Sequence, residues 1–155
     1  MESGVPSYLV VMDETEECTI ALRYAARRAA MTEASVMILA VIPQQEFVQW
    51  SGVQATMEEE AKLRAEAMVV QASGTIFEEA GLHPSILVRQ GDAVKVVTEV
   101  LKETPDIGAL VLAAASNGGP GPLVSHFAGS VAGSLPCPLI IVPSGLDEDS
   151  LHAPA

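Results

Sequence analysis

The apolar residues of this sequence switch between two patterns along the chain, and this alternation restricts the possible folds more than any other feature. Short, nearly continuous apolar runs are typical of strands buried on both faces of a sheet. Between them lie longer segments with apolar residues three or four positions apart, typical of helices that bury one face. The predicted strands cover residues 8–12, 35–42, 83–89, 109–113 and 139–142, and the predicted helices end near residues 28, 80, 103 and 135.

This order predicts an α/β fold with a doubly wound, five-stranded parallel sheet and four helices. Parallel strands need long crossover connections, and these are almost always right-handed. We expect the strand order 3-2-1-4-5. A chain of 155 residues is one ordinary domain, here with a core over residues 8–143 and an acidic tail over residues 144–155.

The charge distribution argues against several kinds of partner. The net charge is −12, and no Lys or Arg follows Lys102. Nucleic acids and anionic membranes reward clustered positive charge, so neither is an expected partner. No apolar run reaches the roughly 18 residues that a membrane span needs, and the N-terminus does not have the pattern of a secretory signal. We therefore expect a cytoplasmic protein.

Metal, redox and common catalytic motifs are not evident. Cys18 and Cys137 do not form a Cys-x-x-Cys pair, and His83, His126 and His152 lie far apart in the sequence. Neither a P-loop motif nor a Gly-x-Ser-x-Gly elbow occurs. The sequence thus predicts a protein that is not an enzyme, with no catalytic and no metal-binding residues, although weak ATP hydrolysis stays open.

A ligand site is expected where the winding of the sheet reverses. Open parallel sheets bind ligands beyond the carboxyl ends of their strands at that point. With the predicted strand order, the reversal lies between the first and fourth strands. It would bring Met12 and Asp13 close to the loop of residues 113–122.

That loop is suited to an anion such as phosphate. Gly118, Gly119 and Gly121 permit positive φ angles and a close backbone approach. The next helix offers free N–H groups, Ser125 adds a hydroxyl, and His126 offers a proton or a positive charge. The same composition also suits a simple turn, and spacing alone leaves both interpretations open.

Four short segments of the sequence belong together by their order and spacing. They are residues 9–13 followed by Glu16, Glu17 and residues 21–25, then residues 38–43, 88–93 and 136–143. Together they resemble the universal stress protein family over most of the chain. The resemblance implies the five-stranded sheet, a stress-response role and a homodimer formed by the last strands, here Leu139 to Val142. It also implies a bound ATP or AMP, with adenine near Asp13 and Val41.

The nucleotide motif of that family, Gly-x2-Gly-x9-Gly-Ser, is degenerate here. One alignment places Ser116, Gly119, Gly129 and Ser130 at the four motif positions. It would put Gly129 and Ser130 in the middle of a helix over residues 123–135. The alternative keeps that helix intact and replaces the first two glycines with Ala113 and Ser116, and the Gly-Ser pair with Val124-Ser125 or Ser125-His126. We prefer the second alignment, because two small residues are easier to shift than the packing stripe of the helix, which comprises Phe127, Ala128, Val131, Ala132 and Leu135.

Three functions remain to be compared. The first is a homodimeric regulatory module that binds an adenine nucleotide or a similar small anion. The second is an interaction protein that acts through its dimer surface and the loop of residues 44–54, which carries Phe47, Val48 and Trp50. The third is a nucleotide hydrolase, disfavoured because the acids of residues 13–16 would repel phosphate. The predicted binding residues of the first are Met12, Asp13, Val41, Ala113, Ser116, Gly118, Gly119, Gly121, Ser125 and His126.

Overall fold

A computed structural model describes residues 5–12, 17–43 and 51–146 of the chain, without the side chains of residues 17 and 51–55. Within these ranges the chain forms five strands and four α-helices in the predicted alternating order. A short 3₁₀-helix, Ala132–Ser134, lies between the last helix and the last strand. The elements are β1 (Ser7–Met12), α1 (Glu17–Thr32), β2 (Ser35–Ile42), α2 (Ser51–Ala80), β3 (Ser85–Gln90), α3 (Ala93–Glu103), β4 (Ile107–Ala114), α4 (Pro122–Phe127) and β5 (Leu139–Pro143).

The sheet confirms the predicted fold class. All neighbouring strands are parallel, and their order is β3-β2-β1-β4-β5. The central strand β1 pairs with β2 through Met12 opposite Ala40, and with β4 through Val10 opposite Val111. The winding therefore reverses between β1 and β4, and both strands end at the same edge of the sheet.

Each face of the sheet has its own hydrophobic cluster. Val10 and Met12 of β1 pack with buried residues of α1 and α2. The alternate residues Leu9 and Val11 pack with α3 and α4 on the opposite face. This period-two alternation is what a strand covered on both sides requires.

Helix α1 rests on the sheet through alanines. Ala21, Ala25, Ala26 and Ala29 are completely buried, so the helix backbone lies close to the strands. Ile20 and Tyr24 are only partly buried and pack at the border of this cluster. Within the described residues, no helix is long and apolar enough to cross a membrane.

A carboxylate joins α1 to α2. Arg23 Nε donates a hydrogen bond of 2.8 Å to Glu79 Oε1, and Arg27 forms an ion pair with the other oxygen of Glu79. Partial burial by itself would raise the pKa of Glu79. The hydrogen bonds and positive charges of the two arginines outweigh it and hold that pKa below its usual value.

Helix α4 differs most from the prediction, because it ends at Phe127 and not at residue 135. Beyond it the chain continues in tight turns, with Ala132 N–H donating to Gly129 O at 3.1 Å and Ser134 N–H to Val131 O at 3.0 Å. The predicted packing stripe is correspondingly broken. Phe127 is buried, Val131 and Leu135 are half-buried, and Ala128 and Ala132 are exposed.

Glycine explains why the helix stops there. A Cβ atom on Gly129 would lie 2.8 Å from the carbonyl oxygen of Ser125. The chain therefore makes a close turn that another residue would obstruct. Gly133 adds a second residue of low helix propensity to the same segment.

Candidate functional site

The candidate site lies at the carboxyl edge of the sheet, where β1 and β4 end side by side. Met12 is the last residue of β1, and Ala113 is the penultimate residue of β4. The loop of residues 115–121 starts directly after β4. Asp13, the predicted carboxylate of this site, lies outside the described residues, and so do residues 44–50 of the predicted loop of residues 44–54. The rest of that loop prediction is wrong, because residues 51–54 form the first turn of α2.

Met12 and Val41 lie near this edge but point to opposite faces of the sheet. The Met12 side chain packs in the cluster with α1 and is 6% exposed, whereas Val41 packs in the cluster with α3 and is 8% exposed. A ligand beyond the edge would meet only the tips of these side chains. Their main contribution is to fix the strand ends that form the floor of the site.

The glycine loop after β4 is compact and open to solvent. A hydrogen bond of 3.3 Å from Ala115 N–H to Pro120 O closes it. Gly118, Gly119 and Gly121 have φ angles of 73°, 92° and 102°, which confirms the predicted left-handed backbone. Among the described residues, no atom lies within 4 Å of a Cβ placed on any of the three. Backbone conformation, and not crowding by those residues, therefore requires these glycines.

The start of α4 contributes little capping of its own. Gly121 is the N-cap residue and provides no side-chain hydrogen bond, and Pro122 has no N–H group. The amides of Leu123 and Val124 are thus left uncapped by a side chain. With only six residues, α4 has a smaller dipole than the longer predicted helix. The exposed side chains of Ser116 and Ser125 supply the nearby hydroxyls.

His126 lies on the side of α4 that faces α3. Its ring meets Phe127 edge-on, with ring centres 4.8 Å apart. It also lines a mainly apolar groove of about 210 Å³ between α3 and the turns after α4. Sequence reasoning missed this groove because it assumed that a longer helix covers the region; Gly129 and Gly133 were the available signal. Its other lining residues are Thr98, Leu101, Lys102, Phe127, Val131, Ser134, Leu135 and Pro136.

The end of α4 also changes the comparison of the two motif alignments. Gly129 and Ser130 follow the helix and are exposed, so they do not lie in the middle of a helix. The structural reason for preferring the second alignment is therefore removed. Gly129 nevertheless has a packing role, because Ser125 O leaves no room for a side chain there.

The surroundings of the two cysteines favour a structural role over a reactive one. Cys18 is buried, and its thiol donates to Val11 O at 3.6 Å. Burial raises the pKa of the half-buried Cys137 thiol, and a backbone hydrogen bond from Leu110 only partly offsets this effect. A raised pKa disfavours the reactive thiolate at neutral pH. Among the residues that the structure describes, no cluster of His, Cys, Asp and Glu is arranged to hold a metal ion.

The fold is shared with several solved structures. A universal stress protein from Lactobacillus plantarum aligns with a TM-score of 0.77 at 17% identity, covering 91% of this chain and 99% of that one. A universal stress protein from Archaeoglobus fulgidus in complex with dAMP aligns with a TM-score of 0.61 at 18% identity, covering 90% and 98%. An Arabidopsis thaliana family member with AMP bound aligns with a TM-score of 0.55 at 16% identity, covering 93% and 94%.

Sequence comparison identifies the family. Curated proteins give no match. The model of the universal stress protein family matches residues 7–143, which is most of the chain. The predicted resemblance is thereby confirmed, and the chain belongs to the universal stress protein family.

Proposed function

We propose that this protein binds an adenine nucleotide, AMP or ATP, at the carboxyl edge between β1 and β4. It acts as a homodimeric regulatory module of the stress response and not as an efficient enzyme. Adenine lies near Asp13, Met12 and Val41. The phosphates lie against Ala113 at the end of β4 and against the loop residues Ser116, Gly118, Gly119 and Gly121, with Ser125 of α4 beside them. His126 is left out of this proposed phosphate site, because its ring lines the groove that faces α3.

The glycine loop is the observation that carries this proposal. It follows β4 directly, beside the end of β1, and its three glycines hold left-handed backbone conformations that no other described residue crowds. Successive backbone N–H groups in turns of this kind form concave anion-binding sites that need no lysine. This matters in a chain of net charge −12 with no Lys or Arg after Lys102.

The class of ligand is supported by relatives of the same fold. Universal stress proteins were solved with dAMP and with AMP bound. An adenine ring is flat, and its two faces pack well against apolar side chains such as the tips of Met12 and Val41. We therefore expect this chain to prefer adenine nucleotides to inorganic phosphate.

Isothermal titration with AMP, ATP and inorganic phosphate tests the proposal. We expect Gly119→Ala to weaken nucleotide binding about tenfold, because alanine is strained at a φ angle of 92° and would reshape the loop. Gly133→Ala is the matched control, since that glycine has free space and no positive φ angle. No heat above dilution at millimolar AMP and ATP would contradict the nucleotide site.

Two serine variants distinguish the motif alignments. If the Gly-Ser pair of the family motif corresponds to Gly129-Ser130, Ser130→Ala weakens AMP binding and Ser125→Ala does not. The reverse result supports the alignment that uses Ser125. If both variants bind AMP as tightly as the wild-type protein, neither hydroxyl belongs to the site.

The homodimer is proposed to form through β5, from Leu139 to Val142. This strand is at the edge of the sheet, and Ile141 is 40% exposed. An exposed apolar edge favours pairing with another strand. Analytical ultracentrifugation should give at least twice the chain mass of 16.2 kDa, and Ile141→Pro should disrupt the pairing. A wild-type monomer at all concentrations would contradict it.

Turnover provides a separate check on the regulatory role. With stoichiometric protein, we expect ATP to stay intact over hours. Any slow hydrolysis should be the same for the wild-type protein and for loop variants such as Gly119→Ala. Multiple turnovers that Gly119→Ala abolishes would identify an enzyme instead.

A further inference from the structure

The outward face of α2 carries an apolar stripe that the described part of the chain leaves exposed. Leu63, Val70 and Phe77 are 55%, 73% and 51% exposed. They lie seven residues apart, and Ala67 and Gly74 occupy the positions between them. We call these five residues the α2 seam.

The seam is not part of the contact between α2 and its own domain. The opposite side of the helix buries Ala61, Ala65, Val69, Ala72 and Ile76. An exposed helix of a globular domain ordinarily has one apolar stripe and one polar face. Helix α2 therefore has a second apolar stripe, and a series of large exposed apolar side chains on one line is typical of an interaction surface.

The spacing of the seam fits another helix. From Leu63 to Phe77 the intervals are four, three, four and three residues, which is the heptad pattern of helices packed along their length. Ala67 and Gly74 are small enough to allow close approach of a second backbone. The exposed ring of His83 stacks against Phe77, with centres 5.0 Å apart, and supports one end of the seam.

The arrangement is symmetric about Val70, so a second copy of the same helix complements it. In an antiparallel pair, Leu63 of each copy meets Phe77 of the other, and Val70 meets its own counterpart. Self-complementary surfaces of this kind form two-fold contacts.

Charge favours the antiparallel arrangement over the parallel one. Arg64 and Glu78 lie on the same flank of the seam, and an antiparallel pair places each opposite the other. In a parallel pair, the acids Glu59 and Glu60, which border the seam, would lie beside their own copies. Like charges held side by side disfavour that register.

We propose that α2 packs antiparallel against α2 of a second copy of this chain. This contact is independent of the nucleotide site and of the β5 edge. Helix α2 packs on β2 and α1, whereas β5 is at the far edge beyond β4. A chain that uses both contacts assembles into units larger than a dimer.

Sedimentation equilibrium of the full chain tests this contact. Val70→Glu places two carboxylates together at the centre of the seam, so we expect the dissociation constant of the contact to rise at least about tenfold. Met31→Glu is the control, because Met31 is 62% exposed on α1 and lies outside the seam. Both comparisons are repeated in the Ile141→Pro background, which separates this contact from pairing through β5. Equal association of Val70→Glu and Met31→Glu in both backgrounds would overturn the proposal.

Disulfide trapping tests the register directly. In a Cys137→Ser background, Val70→Cys should cross-link two chains rapidly under mild oxidation, whereas Leu63→Cys should not. Leu63→Cys with Phe77→Cys in one chain should cross-link. Rapid cross-linking of Leu63→Cys alone indicates a parallel pair and overturns the antiparallel one. If none of the three variants cross-links two copies of the chain, the self-contact is overturned. This holds also if the seam binds a different protein.

Discussion

The two faces of the sheet are covered in different ways. On one face, α1 and α2 have 16 and 30 residues, and their buried stripes extend along the strands. On the other face, α3 and α4 have 11 and 6 residues, and tight turns replace the rest of the last helix. A groove of about 210 Å³ remains beside those turns.

The two faces also correspond to the two roles that we propose. The face covered by long helices buries most of α1 and carries the seam of α2. The face with the short helix leaves the start of α4 and the groove accessible. Irregular backbone of this kind is where binding sites are commonly found. Four substitutions test this division of roles.

Phe127→Ala tests whether the short helix is an anchored part of the core. Phe127 is 2% exposed and holds α4 on the sheet, so we expect the free energy of unfolding in urea to fall by about 3–5 kcal/mol. Met31→Ala, at an exposed position, should change it by about 0.5 kcal/mol or less. A cost for Phe127→Ala no larger than that of the control would mean that α4 is not anchored.

Gly129→Ala tests the close turn that ends α4. The new Cβ would lie 2.8 Å from Ser125 O, and we expect a loss of about 1–3 kcal/mol in the free energy of unfolding. Gly133→Ala should be neutral or slightly stabilising, because nothing lies within 4 Å of its Cβ position. If Gly129→Ala is also neutral, the helix extends further than Phe127 in solution.

Glu79→Gln tests the carboxylate that joins the two long helices. Losing charged contacts with Arg23 and Arg27 should cost about 1.5 kcal/mol at pH 7. Because the folded pKa of Glu79 is lowered, its contribution is fully present above the unfolded value of about 4.3. It is lost as the pH falls through the lower folded value. Urea unfolding of both proteins should therefore converge in acid; a difference independent of pH would contradict this ion pair.

Gly119→Ala should have the smallest effect on stability and the clearest effect on ligand binding. Its φ angle of 92° is strained for alanine, and the site is otherwise open, so we expect a loss of about 1 kcal/mol in thermal or urea unfolding. A loss as large as that of Phe127→Ala would show that the loop supports the core and is not reserved for a ligand.

The sheet was predictable because its signals are local and agree with one another. The apolar runs of β1, β2 and β5 end at residues that stop or redirect a strand. Right-handed crossovers and the family resemblance then fix the order. The strand limits differ from the predicted ones by at most two residues, since β2 spans Ser35–Ile42 as predicted and β4 begins at Ile107.

The last helix was not predictable from its apolar spacing. Apolar residues three or four positions apart, such as Phe127, Val131 and Leu135, recur in both an α-helix and a series of tight turns. What decides between the two is the close approach of Gly129 to Ser125 O, which is a contact in three dimensions. The glycine φ angles of the loop were foreseen from residue type, but Asp13 lies outside the described residues and stays a prediction.

The heptad spacing of the α2 seam is present in the sequence, but the charged residues around it suggest a helix face exposed to solvent. The alternating acids and bases of residues 58–66 indicate a solvated helix face, and that interpretation ignores the heptad from Leu63 to Phe77. Only the orientation of α2 on the sheet shows that the heptad points outward while Val69 and Ile76 point inward.

The buried alanines of α1 limit which substitutions this domain can accept during evolution. The distance between the α1 backbone and the sheet is set by alanine methyl groups, which have no alternative rotamers and cannot adjust to a change in packing. Any longer side chain at Ala21 or Ala25 would lift the whole helix, and Glu79 would then lose its arginines although none of the three residues had changed. We expect random mutagenesis with selection for folded protein to recover many substitutions on the outer surface of α1, and very few at these alanines.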